Sequence, residues 1–204
     1  MDTISISIPK DLENLALPAP ELITFYKNLD NRVLWLDSEV DDSFIEFARY
    51  IIEWNRVDFG IPVEQRKPIK LMILSYGGDL NINNMLVNLI QISKTPVWGI
   101  NMGHADSAGC FIFMSCHERF AMPNSTFLIH KGSASFDGSY EEVTSHVLEY
   151  QRVVDELCEY IMNHSKIDQD TLDANIWGEW FITAQEAVEY GFVDKIIDNI
   201  DYLL

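Results

Sequence analysis

The 204-residue chain carries 32 acidic against 14 basic residues, a formal net charge of -18, with 48% apolar and 23% charged residues. That length and apolar share support one substantial folded domain and exclude a disordered segment. So acidic a balance argues against nucleic acid or an anionic membrane surface as partner, because both need clustered Lys and Arg, and the acid excess reads as a solvated surface.

In chain order, residues 1 to about 20 alternate polar and apolar at ISISI and then run into LALPAPEL, where two prolines discourage a continuous element. Residues 1–30 therefore read as an N-terminal arm. The start shows no basic segment followed by an apolar run and a small-residue cleavage site, and no stretch approaches the ~18 apolar residues of a membrane span, so a cytoplasmic, soluble protein is expected. NRVLWLDSEVDD holds a short strand at Arg32 to Leu36, then Asp41 to Ser43 as helix N-cap candidates before FIEFARYIIEWNRV. In that helix Phe44, Phe47, Ala48, Ile51 and Ile52 fall at the spacing of one buried face. IKLMILS, residues 69–75, reads as a strand covered on both faces, broken by YGGDLN.

A helix through NMLVNLIQIS to Lys94 follows, then the strand TPVWGIN, the motif NMGHADSAG, and AGCFIFMSC as a buried helix. RFAM and TFLIH are short strands around the turn PNS. From Ser139 one long amphipathic helix is expected to about residue 164, with Val143, Val147, Tyr150, Val154, Leu157 and Ile161 about a turn apart. A short helix from Asp168 to Ala174, the segment NIWGEWF, the helix TAQEAVEYG capped by Gly191 and the strand VDKII complete the domain. Strands alternating with helices indicate an α/β fold with crossover connections, and residues 31–204 read as a single domain. Cys110, Cys116 and Cys158 are an odd number in mainly apolar surroundings, which favours free thiols in a reducing compartment over a disulfide framework.

Three features fall at the carboxyl ends of predicted strands, where α/β folds place their sites. Gly77-Gly78 after ILSY lets backbone N–H groups approach a ligand, as half of an oxyanion hole, although a strand-to-helix turn alone would also explain it. Ser107 in ADSAG opens the apolar helix, with the amide of Ala108 next to it; by itself it would be an N-cap serine. His130 ends TFLIH, where a lone histidine is ordinarily a surface or satisfied core residue. Together they supply a nucleophile, a base and an oxyanion site. His104, His117, His146 and His164 show no HxxxH spacing and no CxxC partner, so no metal is expected. GxGxxG and P-loop patterns are missing too, so no nucleotide cofactor is expected.

With those places identified, the sequence resembles the proteolytic subunit of the Clp protease, the ClpP family of the crotonase-like superfamily. The matching stretches are ILSYGGD, GHADSAG, AMPNSTFLIH and WFITAQEAVEYGFVDKI, with weaker similarity at RVLWLDSEVDD. The resemblance implies an α/β superhelix of repeated ββα units with a long protruding handle helix at about 139–164. It implies Ser107 as nucleophile, His130 as general base, and the amides of Gly77 and Ala108 as the oxyanion hole. It further implies a serine endopeptidase acting on peptides or unfolded proteins, needing no cofactor, enclosed in a homo-oligomer of stacked heptameric rings and served by a Clp-type ATPase.

The chain departs from the pattern at the third catalytic position, where the family's aspartate falls on Asn175. In a serine-protease triad that exchange costs about 10⁴ in kcat, roughly 5.5 kcal/mol, because neutral Asn fixes the tautomer only if its carbonyl oxygen faces the histidine. Asp173 and Asp106 are alternative acids, with Glu179 more distant. The KGSASFDGS that follows His130 also replaces the family's Gln-Pro and glycine-rich strand, and the arm does not resemble the family's axial loops. The alternative readings are a weak or inactive ring or assembly subunit and, further off, acyl-CoA chemistry on the same fold.

Overall fold

The computed structural model describes residues 19–203, so the ISISI alternation and the LENLALP run lie outside the described residues. The chain divides into two units, Met1–Asn31 and Arg32–Leu204. In the first, α1 (Pro20–Asp30) begins on a proline, where the LALPAPEL pattern predicts a break. At the first helical position its fixed φ suits the helix and its missing N–H costs nothing, because that donor has no partner there anyway.

The second unit is built on a seven-stranded sheet whose main path runs β1 (Val33–Leu36), β2 (Ile69–Ser75), β3 (Val97–Asp106), β4 (Glu118–Ala121), β7 (Lys195–Ile196), all parallel. β5 (Thr126–Ile129) leaves this path: it pairs parallel with the end of β3 and antiparallel with β6 (Trp180–Thr183). β6 begins inside NIWGEWF, where the sequence pattern predicts no strand. β3 is longer than TPVWGIN predicted, running through the motif to Asp106 and pairing β4 over residues 98–101 and β5 over residues 104–106. Fully buried Asn101 sits at the switch: its Nδ2 donates to Thr126 O at 2.8 Å and its Oδ1 accepts from Gly103 N at 2.9 Å, so the change of partner leaves no polar group stranded.

α2 (Ile45–Val57), α3 (Leu80–Ile92) and α4 (Ala108–Ser115) are amphipathic, partly apolar and, up to Ser115, apolar throughout, respectively, and every residue of α4 is buried. On α2, Phe44 just before the helix, Ala48 and Ile51 are buried as the periodicity predicts, but Phe47 is half-buried and Ile52 is 48% exposed. α5 (Tyr140–Asn163) starts at a capping box in which Ser139 Oγ accepts from Glu142 N and Glu142 Oε2 accepts from Ser139 N. Of its predicted stripe only Val154 and Ile161 are buried; Val147 is 49% exposed in the first half of the helix. α6 (Gln169–Asn175) is capped by Asp168 and α7 (Ala184–Glu189) by Thr183, and Gly191 closes α7 at φ 76°. The core lies between α4 and the strands, where Phe127 meets Phe113 and Phe192. Cys110 and Cys116 are buried, Cys158 is half-buried, and all three thiols are free. Among the described residues no helix is long and apolar enough to cross a membrane.

Candidate active site

The carboxyl ends of β2, β3 and β5 meet at one edge of the sheet, and the three predicted features stand there. Asp106 is in register with Leu128, so Ser107 leaves β3 beside the strand that His130 follows. Ser107 carries φ 51° and ψ -121°, a conformation L-residues avoid at a cost of about 1–3 kcal/mol. It is held by its backbone: its N–H donates to Leu128 O at 2.8 Å, and its carbonyl accepts from Cys110 N at 2.9 Å and Phe111 N at 3.3 Å. A strand therefore turns sharply into a helix and presents Oγ at the bend. The N-cap explanation fails, since the side chain makes no capping bond to α4. Instead, Ser107 Oγ lies 2.8 Å from His130 Nε2.

Gly77 packs against this bend. At φ 93°, a Cβ there would stand 2.7 Å from Asp106 O, 2.7 Å from Ser107 Cβ and 2.9 Å from Ala108 N, so only glycine fits. Its carbonyl accepts from Val40 N at 2.8 Å, which orients the turn, and its N–H makes a long 3.2 Å contact to Ser75 Oγ. Ala108, as the first residue of α4, has no carbonyl within the helix to donate to, which leaves its N–H for a ligand oxygen.

A cleft of about 230 Å³ holds Ser107 and His130 and is walled by Tyr76, Leu80, Phe111, Tyr150 and Leu157. Tyr150 OH donates to Lys131 O at 2.8 Å, fastening the segment after the histidine to α5, and Lys131 Nζ lies 4.2 Å from the Trp177 ring centroid. That segment, KGSASFD, forms no strand.

Asn175 is exposed at the end of α6, and its Nδ2 donates to Thr171 O at 2.8 Å. Among the described residues no hydrogen bond joins it to His130. Asp173 is also exposed on α6, and its charge acts on the Cys158 thiol. Asp106 is different: it is 6% exposed and its Oδ1 has no hydrogen-bond partner among the described residues. Burial pushes its carboxyl above the usual range; His104 and His130 pull it down and Glu179 pushes it further up. The sequence pattern does not predict the group around it. His104 Nδ1 is 3.5 Å from Asp106 Oδ2, an ion-pair separation too long for a hydrogen bond, and the His104 ring stacks on Tyr76 at 4.1 Å. The signal available was period-two spacing: once β3 extends to Asp106, residues 104 and 106 share a face.

A family model described as Clp protease matches residues 21–200. The chain belongs to the Clp protease family. Among curated proteins it is 27% identical over 181 residues to the ATP-dependent Clp protease proteolytic subunit 2 of Treponema pallidum (strain Nichols), covering 88% of each chain. Among solved structures it matches an Asn-to-Asp point mutant of ClpP1 from Listeria monocytogenes with a TM-score of 0.75 at 21% identity, over 89% of this chain and 99% of that one. The mixed α/β architecture with its parallel sheet is thus the ClpP fold, as the sequence motifs implied. Membership makes this Clp protease chain a protease subunit of the serine-peptidase class.

Proposed function

We propose that this chain is a Clp-type serine endopeptidase subunit that hydrolyses peptide bonds of unfolded protein inside a cytoplasmic homo-oligomeric chamber, with a Clp-type ATPase as partner. The observation that carries the reading is the 2.8 Å contact between Ser107 Oγ and His130 Nε2 at a strained strand-to-helix bend. Ser107 Oγ attacks the scissile carbonyl as its proton passes to His130 Nε2. The developing oxyanion accepts from the Ala108 N–H and, once released from Ser75 Oγ, from the Gly77 N–H. His130 then protonates the leaving amine, and water hydrolyses the acyl-Ser107 ester by the same proton route.

The imidazolium formed in the first step needs a partner. The family motif places Asn175 in that role, with Asp173, two residues earlier, and Asp106, beside the serine, as alternative carboxylates. Burial of Asp106 beside Ser107 favours it over exposed Asp173. A fluorophosphonate probe is expected to label Ser107 in assembled protein, and a peptide assay is expected to lose its rate in Ser107→Ala. An unlabelled Ser107 would sink the reading.

One observation favours the second reading, a weak or inactive subunit: the Asn175 amide is engaged by Thr171 O of its own helix. Asn175→Asp loses that donor and supplies a charge for the imidazolium, so the peptidase rate should rise at least about tenfold, against the full ~10⁴ of a complete triad. An unchanged or lower rate would show that another group, or a different local geometry, serves.

A further inference from the structure

Asn83 on α3 is 1% exposed, and its Oδ1 meets no hydrogen-bond partner among the described residues, while its Nδ2 donates to Asn84 Oδ1 at 3.0 Å. A buried carbonyl oxygen left unpaired is costly, and in a native protein it marks a place where a donor belongs. Asn83 lines a cavity of about 220 Å³ between α3 and α5, with Asn84, Asn88, Gln91 and Glu156 around it. Among the described residues no Lys or Arg lines that cavity, and Glu156 is an acidic group whose ion-pair partner is Arg152.

This cavity adjoins the catalytic cleft. Phe111 and Leu157 line both. Along α3 the cleft is lined at Leu80 and the second cavity at Asn83 and Asn84, one turn further, a rise of about 5 Å. A side chain of glutamine or lysine length covers that distance, laying its methylenes along Phe111 and Leu157 and its polar end among the amides.

We propose that the two cavities form one specificity subsite for the residue whose carbonyl Ser107 attacks, and that it takes a long side chain with an apolar stem and a terminal N–H donor, glutamine or lysine. The inference rests on the peptidase reading above. Methionine fills the same stem but offers Asn83 Oδ1 no donor, and glutamate brings only acceptors to Asn83 Oδ1 and Glu156. A site built around a buried acceptor discriminates strongly against a side chain that leaves it unpaired.

The test uses the full-length protein and four peptidyl diphenyl phosphonates that differ only in the residue carrying the phosphorus, an analogue of methionine, glutamine, lysine or glutamate. The readout is the rate of covalent labelling at Ser107 by mass spectrometry. The glutamine and lysine reagents should label about tenfold faster than the methionine reagent, with glutamate slowest. In Asn83→Leu the glutamine-to-methionine ratio should fall to about one, and in Asn83→Asp lysine should gain on glutamine. Methionine labelling as fast as glutamine and lysine, or glutamate as fast as glutamine, overturns the subsite assignment while leaving Ser107 a nucleophile. Failure of all four reagents on the wild-type protein overturns the peptidase reading itself. The wild-type series stands alone if a variant at the buried Asn83 does not fold.

Discussion

Ser107 shows how one residue carries both strain and chemistry. Its φ of 51° suits glycine, yet glycine has no hydroxyl to place 2.8 Å from His130 Nε2. Ser107→Gly and Ser107→Ala should both abolish the peptidase rate, but the glycine variant should melt a few degrees higher. Relief of strain worth about 1–3 kcal/mol exceeds the 0.5–1 kcal/mol entropic penalty of glycine. Equal melting temperatures would show that the bend is not strained. Asp106 presents the opposite balance, a carboxylate buried with one oxygen unpartnered. Burial raises its folded pKa, so the folded state holds the proton more tightly than the unfolded chain does. The stability this confers is present below the unfolded value of about 4 and lost as pH rises through the folded value. Asp106→Asn removes that loss: it should raise the melting temperature at pH 7, and the gap to wild type should close toward pH 4. If Asp106 supports His130, the peptidase rate should fall at the same time.

Elements of the second unit are tied by one buried ion pair. Arg32, immediately before β1, donates from Nη1 at 2.6 Å and Nη2 at 2.8 Å to Asp58, at the end of α2, which also accepts from Thr95 Oγ1 at 2.9 Å ahead of β3. The side chains are 11% and 5% exposed, so removing one partner leaves the other charged and desolvated. Asp58→Ala should cost about 3–5 kcal/mol, read from chemical denaturation at pH 7. The Arg32 guanidinium holds the Asp58 carboxyl below its ordinary range, against burial. Its contribution is therefore present above the unfolded value of about 4 and lost as pH falls through the lower folded value. The difference between wild type and variant should shrink in acid; a pH-independent difference would mean that the pair acts through packing alone.

At the scale of the whole molecule, the first half of α5 is the surface that a lone subunit does not cover. Tyr140, Val147 and Leu148 are exposed at helical spacing, with Leu148 at 67%, on a helix whose later residues Val154 and Ile161 are buried in the subunit. In the proposed oligomer that stripe is where α5 would meet another copy, so Leu148→Glu should shift sedimentation toward smaller species and leave the subunit's unfolding free energy within about 0.5 kcal/mol of wild type. Unchanged assembly would place the contact elsewhere.

Periodicity and turn chemistry were legible in the chain before any coordinates. IKLMILS at residues 69–75 is β2, the capping serine of the long helix stands one residue before Tyr140, and the diglycine, serine and histidine fall at strand ends as expected. Such signals are local, written by side-chain alternation, helix caps and positive-φ glycine, so the sequence alone determined most of the elements, though not α1 or β6, and the nucleophile candidates. What only the tertiary structure decided was contact between distant segments. The continuation of β3 through His104 and Asp106, the departure of β5 from the main sheet, and the pairing of Ser107 with His130 depend on strand register, which hydrogen bonds between separate strands set. The acid position is the clearest case: the motif points to Asn175, whose amide bonds its own helix and is exposed, whereas Asp106, the residue next to the nucleophile, is the buried carboxylate. Burial is a property of the whole fold, and no spacing along the chain reports it.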